Sequence, residues 1–455
     1  MTEPNGFVTI LSSMIPRFWR RTLFLLFFFG FLISAPLAVL YTAGYRYHIG
    51  SGMILKTGML SLESAPKGAQ VLVDGVLVKE KTPAVINDIL PGKHTISITK
   101  EGYLPWKKTL EVQSNQTAFA SAILFLASTP TFVAPISPVL STVTADKHAV
   151  AYVTPTQNDL DIWRLTAGEN APSPLISVRH DVSILSLEWS AQGHYLLIHT
   201  DDETRPFLIV TSEGDLLSDT ESLLEAEDVW WDAGQDGFLF VKTKDTLLRL
   251  NVVSGLFDTF DRMADAARMT AQGWVILEET EGRASLTRIQ NNETVILAYL
   301  PSGSYRFLPS PDGLLFLEDH ARERVFLVTA EGGDQPILLQ TSATQWQWND
   351  ARQLLLSDGF DLQVYDSVSH TDTLITRTSE RISSAIWDAT QTQIIFCLPF
   401  SLQAVEREER GARFSSLLAA DLSCDELWLD EDGKTLSFFG ERGEEKGWFE
   451  KYLRE

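Results

Sequence analysis

Eight histidines, two cysteines and 60 acidic residues are the groups in this chain able to do acid–base, nucleophilic or metal chemistry. Such chemistry needs them at particular spacings, and those spacings are missing. There is no HExxH helix, GxSxG elbow, phosphate-binding glycine loop, GxGxxG turn or zinc-ligand pattern. The histidines (48, 94, 148, 180, 194, 199, 320, 370) are scattered, and His194 and His199, five apart, point to opposite faces of a strand. Asp159 and Asp161 share a strand face on which calcium would find oxygen ligands, but the surrounding NDLDIW fits a hairpin edge better. The run Glu406 to Arg410 reads as a solvated loop. Cys397 and Cys424 read either as a disulfide or as two small buried hydrophobes, the second being favoured. The sequons at Asn115 and Asn292 matter only in a glycosylating host. No catalytic residue, cofactor-binding residue or metal ligand is assigned, and no cofactor is expected.

The 12 tryptophans carry more information. Trp189, Trp231, Trp348, Trp387 and Trp428, with Met269 and Phe307, recur at equivalent strand ends and are expected to pack between repeated units. Trp163, Trp230 and Trp346 stand apart: two lie beside an aromatic that already fills the packing role, and Trp163 ends a weak repeat. These three are the candidate ligand contacts, exposed so as to stack on sugar rings or anchor a protein partner.

The elements that must position such residues differ along the chain. From Thr22 to Tyr45 there is no charge, and TLFLLFFFGFLISAPLAVL is long enough for a transmembrane helix, given ~1.5 Å per residue and a ~30 Å hydrocarbon core. Arg17, Arg20 and Arg21 precede it, which places the N-terminus in the cytoplasm, and Trp19, Tyr41, Tyr45 and Tyr47 suit the interfacial belts. A cleaved signal peptide is the rival, but Pro36 or Tyr41 at the −3 position makes a poor cleavage site. The expected plan is a cytoplasmic segment (1–21), a transmembrane helix (22–45) in the lipid bilayer, a Gly-containing spacer (46–57), a small β domain (58–128) and a second, larger β domain (129–455). The class is all-β after one helix.

Between residues 58 and 127, strands alternate with turn signals. Ala65-Pro66-Lys67-Gly68 is a turn, Asp74-Gly75 a tight hairpin and Pro91-Gly92 a type II candidate. Val71 and Val73, then Ile96 and Ile98, alternate as half-buried strands require. This segment resembles the PEGA domain, a small β-sandwich of bacterial and archaeal envelope proteins. The carriers are Pro66, Gly68, Ala69, Asp74, Gly75, Thr82-Pro83, Pro91, Gly92, Gly102 and Tyr103; Lys67 departs from the family's glutamate. The resemblance implies an exposed, non-catalytic module.

From about Thr129, self-similar units recur at roughly 40 residues, the period of four-stranded propeller blades. LEWSAQGHYLLIHTDDETRPFLIVTSEGDLL and YRFLPSPDGLLFLEDHARERVFLVTAEGG are the clearest. Turns such as Ser310-Pro311-Asp312-Gly313 and Glu431-Asp432-Gly433 let Asp bond its own backbone. The units resemble TolB-type propeller repeats and number eight, or seven if the first is discounted. The segment Thr131 to Ser137 is expected to complete the final blade's sheet.

Charge is unevenly placed. Residues 129–455 hold 25 basic and 53 acidic groups, a balance of −28, against +4 for residues 1–57. Such a surface repels phosphate backbones, so nucleic acid is excluded as a partner. The reading is a single-pass protein of the cytoplasmic membrane whose acidic propeller binds an envelope protein, cell-wall glycan or surface-layer component. The alternative is an envelope hydrolase or lyase with carboxylates on the propeller's central face.

Overall fold

A computed structural model describes residues 17–48, 53–169, 171–217, 223, 225–260, 262–280, 282–291 and 293–455. Most of the expected cytoplasmic segment and the Asn292 sequon lie outside these. Two compact units are formed, Met1–Lys100 with Pro105–Leu124, and Glu101–Leu104 with Phe125–Glu455.

In the first unit, α1 (Arg17–Thr42) holds a 25-residue span, Phe18–Thr42, that is by length and composition apolar enough to cross a membrane, with Arg20 and Arg21 near its start. It starts within the arginine cluster and ends before Tyr45, because Gly44 turns the chain at φ +82°. Arg46 then caps the helix: its Nη1 donates to the Tyr41 carbonyl at 2.8 Å, and its guanidinium lies 3.8 Å from the Tyr41 ring. The expected spacer is partly ordered. β1 (Tyr45–His48) pairs with β2 (Met53–Lys56), with Tyr47 opposite Ile54, and Arg46 Nη2 donates to Asp88 Oδ2 at 2.7 Å. Alternating Tyr and aliphatic residues favour this hairpin over coil.

Seven strands follow: β3 (Gly58–Ala65), β4 (Gln70–Val73), β5 (Val76–Lys81), β6 (Ala84–Ile89), β7 (Gly92–Thr99), β8 (Trp106–Val112) and β9 (Thr117–Ile123). They make two sheets, ordered β5-β4-β7-β8 and β6-β3-β9, with β3 and β9 parallel. Leu60, Leu62, Val71, Ile96, Ile98 and Trp106 are buried core residues of this unit. Asp74 (φ 51°) and Gly75 (φ 80°) close the β4–β5 hairpin, as a two-residue turn with positive φ at both positions demands. Gly92, expected inside a type II turn, instead opens β7 at φ +144°.

The second unit is a β-propeller. Its described strands form eight antiparallel sheets in chain order, here blades I–VIII, starting at Leu140, Ile184, Asp228, Ala266, Tyr305, Gln345, Ser384 and Ser423. Each blade's first strand is the innermost. Blade VIII takes its fourth strand from the beginning of the unit: β10 (Thr131–Ala134) pairs with Glu445–Tyr452, placing Thr131 opposite Glu450 and Phe132 opposite Phe449. The closure expected of this segment is therefore present, and it removes an open edge. Gly447 is needed there, since a Cβ would stand 2.2 Å from the Ala134 carbonyl. A disulfide, Cys397–Cys424, joins blades VII and VIII with Cα atoms 5.8 Å apart, correcting the preference for two unlinked thiols.

In several blades the turn after the innermost strand is capped from its first residue. Asp430, rather than Asp432, accepts from the backbone of Lys434 and Thr435 (2.7 and 3.0 Å), and Asp388 accepts from Thr392 and Gln393. Ser190 Oγ accepts from Tyr195 in the same way.

Candidate functional site

A charge on or just after an innermost strand of a propeller either finds a partner in a neighbouring blade, as Arg268 does at Ser310, or turns toward the axis. Blades I, II, III, V, VI, VII and VIII together wall an axial cavity of about 350 Å³. Its aromatic wall is Trp189, Trp231, Trp346 and Phe307, and its charged groups are Glu188, Lys147 and Glu426.

Two of the repeat tryptophans, Trp189 and Trp231, stand on this wall, and they share a bonding pattern with Trp387. Trp189 Nε1 donates to the Thr142 carbonyl of blade I (3.1 Å), Trp231 Nε1 to the Glu188 carbonyl of blade II (2.9 Å), and Trp387 Nε1 to the Gln347 carbonyl of blade VI (3.3 Å). Each indole thus ties its blade to the one before it.

Of the three expected ligand contacts, the structure brings one to the cavity. Trp346 is half-buried on the wall, edge-on to Phe316 at 5.4 Å. Trp163 is half-buried in the third strand of blade I, where its Nε1 donates to Thr154 Oγ1 at 3.0 Å. Trp230 is 1% exposed, stacked on Phe240 at 5.8 Å and 4.7 Å from the Arg306 guanidinium. The expectation that it is exposed fails because Trp230 and Trp231 point to opposite faces of one strand, and neighbouring blades cover both. The family-motif residues are structural: Ala69 and Tyr103 are buried, while Gly68, Gly75 and Gly102 have φ near +80°. Pro66 and Asp74 stand at turns beside Gly68 and Gly75, and Pro91 precedes β7.

Charges along the axis are mostly paired. Arg306 Nη2 donates to both carboxylate oxygens of Asp228, at 2.9 and 2.7 Å. Glu318 faces His320 at 3.5 Å, and burial raises its pKa. Burial also lowers the Lys147 pKa, against the attraction of Glu426 and Asp146, and raises that of Glu426. Glu188 has no cation within ion-pair distance among the described residues. Loss of bulk water pushes its pKa up to about 7, opposed chiefly by Arg306. Its side chain remains reachable by water while protein surrounds it, which is the condition of a carboxylate facing a wet cavity.

Lys147 is placed at some cost. It occupies the left-handed position (φ 63°) of its blade's turn, which is Gly193, Gly237, Gly313 and Gly433 in blades II, III, V and VIII. Arg352 and Gln391 also take this conformation, but they use their side chains to reach the preceding blade's turn, at the Asp312 carbonyl (2.8 Å) and Asp350 Oδ2 (2.7 Å). Lys147 makes no such bridge and lines the axial cavity instead. Its loop narrows the axis, with Leu429 N donating to the Lys147 carbonyl at 2.8 Å and Gln347 Nε2 to the Asp146 carbonyl at 3.4 Å. Beyond lies a second hollow of about 250 Å³, also bordered by Lys147.

None of Glu188, Lys147, Glu426, Arg306 or Asp228 was singled out from the sequence. The available signal was a charge on, or just after, an innermost strand that should be apolar, as in ILSLEW. Elsewhere the scattered residues remain apart. His194 pairs with Asp236 at 2.9 Å, His199 stacks on Phe207 at 4.6 Å, and Asp161 accepts from Ser177 Oγ at 2.6 Å. Glu406, expected in a solvated loop, ends a strand and is buried. Among the described residues no group of three or more His, Cys, Asp or Glu could hold a metal ion.

Comparison with known proteins adds one family. Residues 57–124 match the PEGA domain. The PEGA match covers the seven strands of the two-sheet unit and not the propeller. No curated protein matches the chain. Among solved structures, the chain is similar to the C-terminal WD40 domain of Sif2 (13% identity, 71% of this chain and 98% of that one, TM-score 0.45). It is also similar to a eukaryotic initiation factor (12%, 73% and 87%, 0.42) and to Kluyveromyces lactis Hsv2 (11%, 64% and 98%, 0.37). No catalytic family is indicated beside the PEGA domain.

Proposed function

We propose that the chain is a membrane-tethered binding protein of the cell envelope. α1 anchors it with the N-terminus inside, the PEGA domain and propeller follow outside, and the propeller recognises an envelope protein or a cell-wall component. The division at residues 21, 45, 57 and 128 belongs to this proposal. The observation that carries it is the axial cavity, whose tryptophan wall and uncompensated carboxylate form a recognition surface without a catalytic constellation. Three features support the location: the arginines before the apolar helix, the PEGA match, and the Cys397–Cys424 disulfide, a bond that persists in oxidising compartments. The resemblance of the repeats to TolB-type propellers favours a bacterial envelope.

The test is topological. Reporter fusions after Lys56 and after Glu455 are expected to be active only as exported reporters, and the mature protein to retain Met1 or Thr2. Intact cells treated with a membrane-impermeant maleimide should show no free thiol on this protein until it is reduced. A reporter active in the cytoplasm after Glu455 would sink the proposal.

A further inference from the structure

The axial cavity has an unbalanced charge, and its wall indicates what would balance it. Arg306 is occupied by both oxygens of Asp228, and Glu318 faces His320. Lys147 has Glu426 and Asp146 as its nearest opposing charges. Glu188 remains, a carboxylate inside a cavity of about 350 Å³ with no cation within ion-pair distance among the described residues. Three indoles share that cavity, and the face of an indole attracts a cation. A carboxylate that faces a wet cavity with protein around it is stabilised by a cation that brings its own hydrogen-bond donors.

We propose that the axial cavity takes a primary ammonium group carried on a slender arm, with Glu188 as the anchor and Trp189, Trp231 and Trp346 as the enclosing wall. The two sources of that chemistry are a lysine side chain and a free amino terminus. A guanidinium is planar and broader, and the compact tripod of ammonium donors suits a carboxylate with no other cation within ion-pair distance among the described residues. Lys147 works against the ammonium, as a like charge bordering the same cavity, so it selects for ligands short enough to stop at Glu188. The inference rests on the propeller being the recognition domain, and it specifies the chemical group recognised.

pH provides an independent handle. Glu188 must be ionised to hold the ammonium, and the groups around it are Arg306, Asp228 and Glu318, with Lys147 and Glu426 in the same cavity and the Trp231 backbone N–H beside it. Affinity should therefore fall as pH drops through the neutral range.

The experiment uses the full chain in lipid nanodiscs and calorimetric titration at pH 8. The probes are Nα-acetyl-lysine methylamide, glycine methylamide, and Nα,Nε-diacetyl-lysine methylamide as the neutral control. At least one of the two amines is expected to bind and the diacetyl probe not to bind, and whichever amine binds identifies the source. Glu188→Gln, isosteric and confirmed folded by its thermal midpoint, should weaken the amine at least fivefold, and so should pH 6 with the unmodified protein. Equal binding by the diacetyl probe, an unchanged affinity in E188Q, or no binding by either amine overturns the inference. A pull-down partner still retained by E188Q would leave the binding role of the propeller standing while removing the ammonium site, so the two failures are distinguishable.

Discussion

Lys451 shows what one residue contributes to this ring. Its side chain is buried in blade VIII and donates to the Ser128 carbonyl at 2.6 Å and the Leu126 carbonyl at 3.3 Å, with no carboxylate among these partners. Burial drops its pKa from 10.5 to about 8. Below pH 8 both the folded and unfolded chains carry the proton. Between pH 8 and 10.5 the unfolded chain binds more protons, so this group's contribution to stability rises with pH, by up to ~1.4 kcal/mol per unit. The thermal midpoint of the unmodified protein is thus expected to gain on that of Lys451→Met between pH 8 and 10; parallel curves would refute the assignment. Gly75 offers a cleaner backbone test. It sits at φ +80° with nothing within 4 Å of where a Cβ would stand, so Gly75→Val acts through strain alone and should destabilise the PEGA domain by about 1–2 kcal/mol, read from its amide exchange. That glycine was legible in the sequence because Asp-Gly between two apolar strands has one favoured turn. Glu188 was not, because nothing local tells which side of an innermost strand faces the axis.

At the scale of elements, the period of the repeats and the turn chemistry led directly to the strands, whereas pairing across long separations needed geometry. The closing strand is an instance of success: a short extended segment before the first blade and a last unit with three strands leave one consistent partner. Its Phe132 meets Phe449 edge-on at 5.4 Å, and Arg442 reaches back to the Pro130 carbonyl at 2.7 Å. Deleting residues 130–137 from the full chain should lower the propeller's thermal midpoint by several degrees, measured by scanning calorimetry, because the edge of Glu445–Tyr452 is left unpaired. No change would mean that the ring is held without it. The β1–β2 hairpin and the disulfide were the elements read least well. A four-residue strand carries too short a pattern to outweigh its glycines, and two cysteines 27 residues apart have no preferred pairing until adjacent blades bring them together. Trp230 was misread for a related reason: a second aromatic on a strand looks redundant only if one face of the sheet is open.

For the whole molecule, the decisive quantity is the field. A balance of −28 over residues 129–455 gives the propeller a long-range preference for cations, while the axial cavity offers a short-range contact to Glu188 and the indoles beside it. These two parts respond differently to salt. Screening at ~0.5 M shortens the Debye length to a few ångströms, which suppresses steering between exposed charges but leaves a contact inside a cavity much less affected. If the propeller is the recognition domain proposed, capture of a protein partner by the full chain in nanodiscs should lose mainly association rate between about 50 and 500 mM salt, with dissociation nearly constant, as biosensor traces would show. If dissociation carried the salt dependence instead, the contact would lie on the exposed acidic surface and not in the channel. Salt-independent binding would point to the tryptophan wall acting without the field, and turnover of a partner abolished by Glu188→Gln or Glu426→Gln would replace recognition with catalysis.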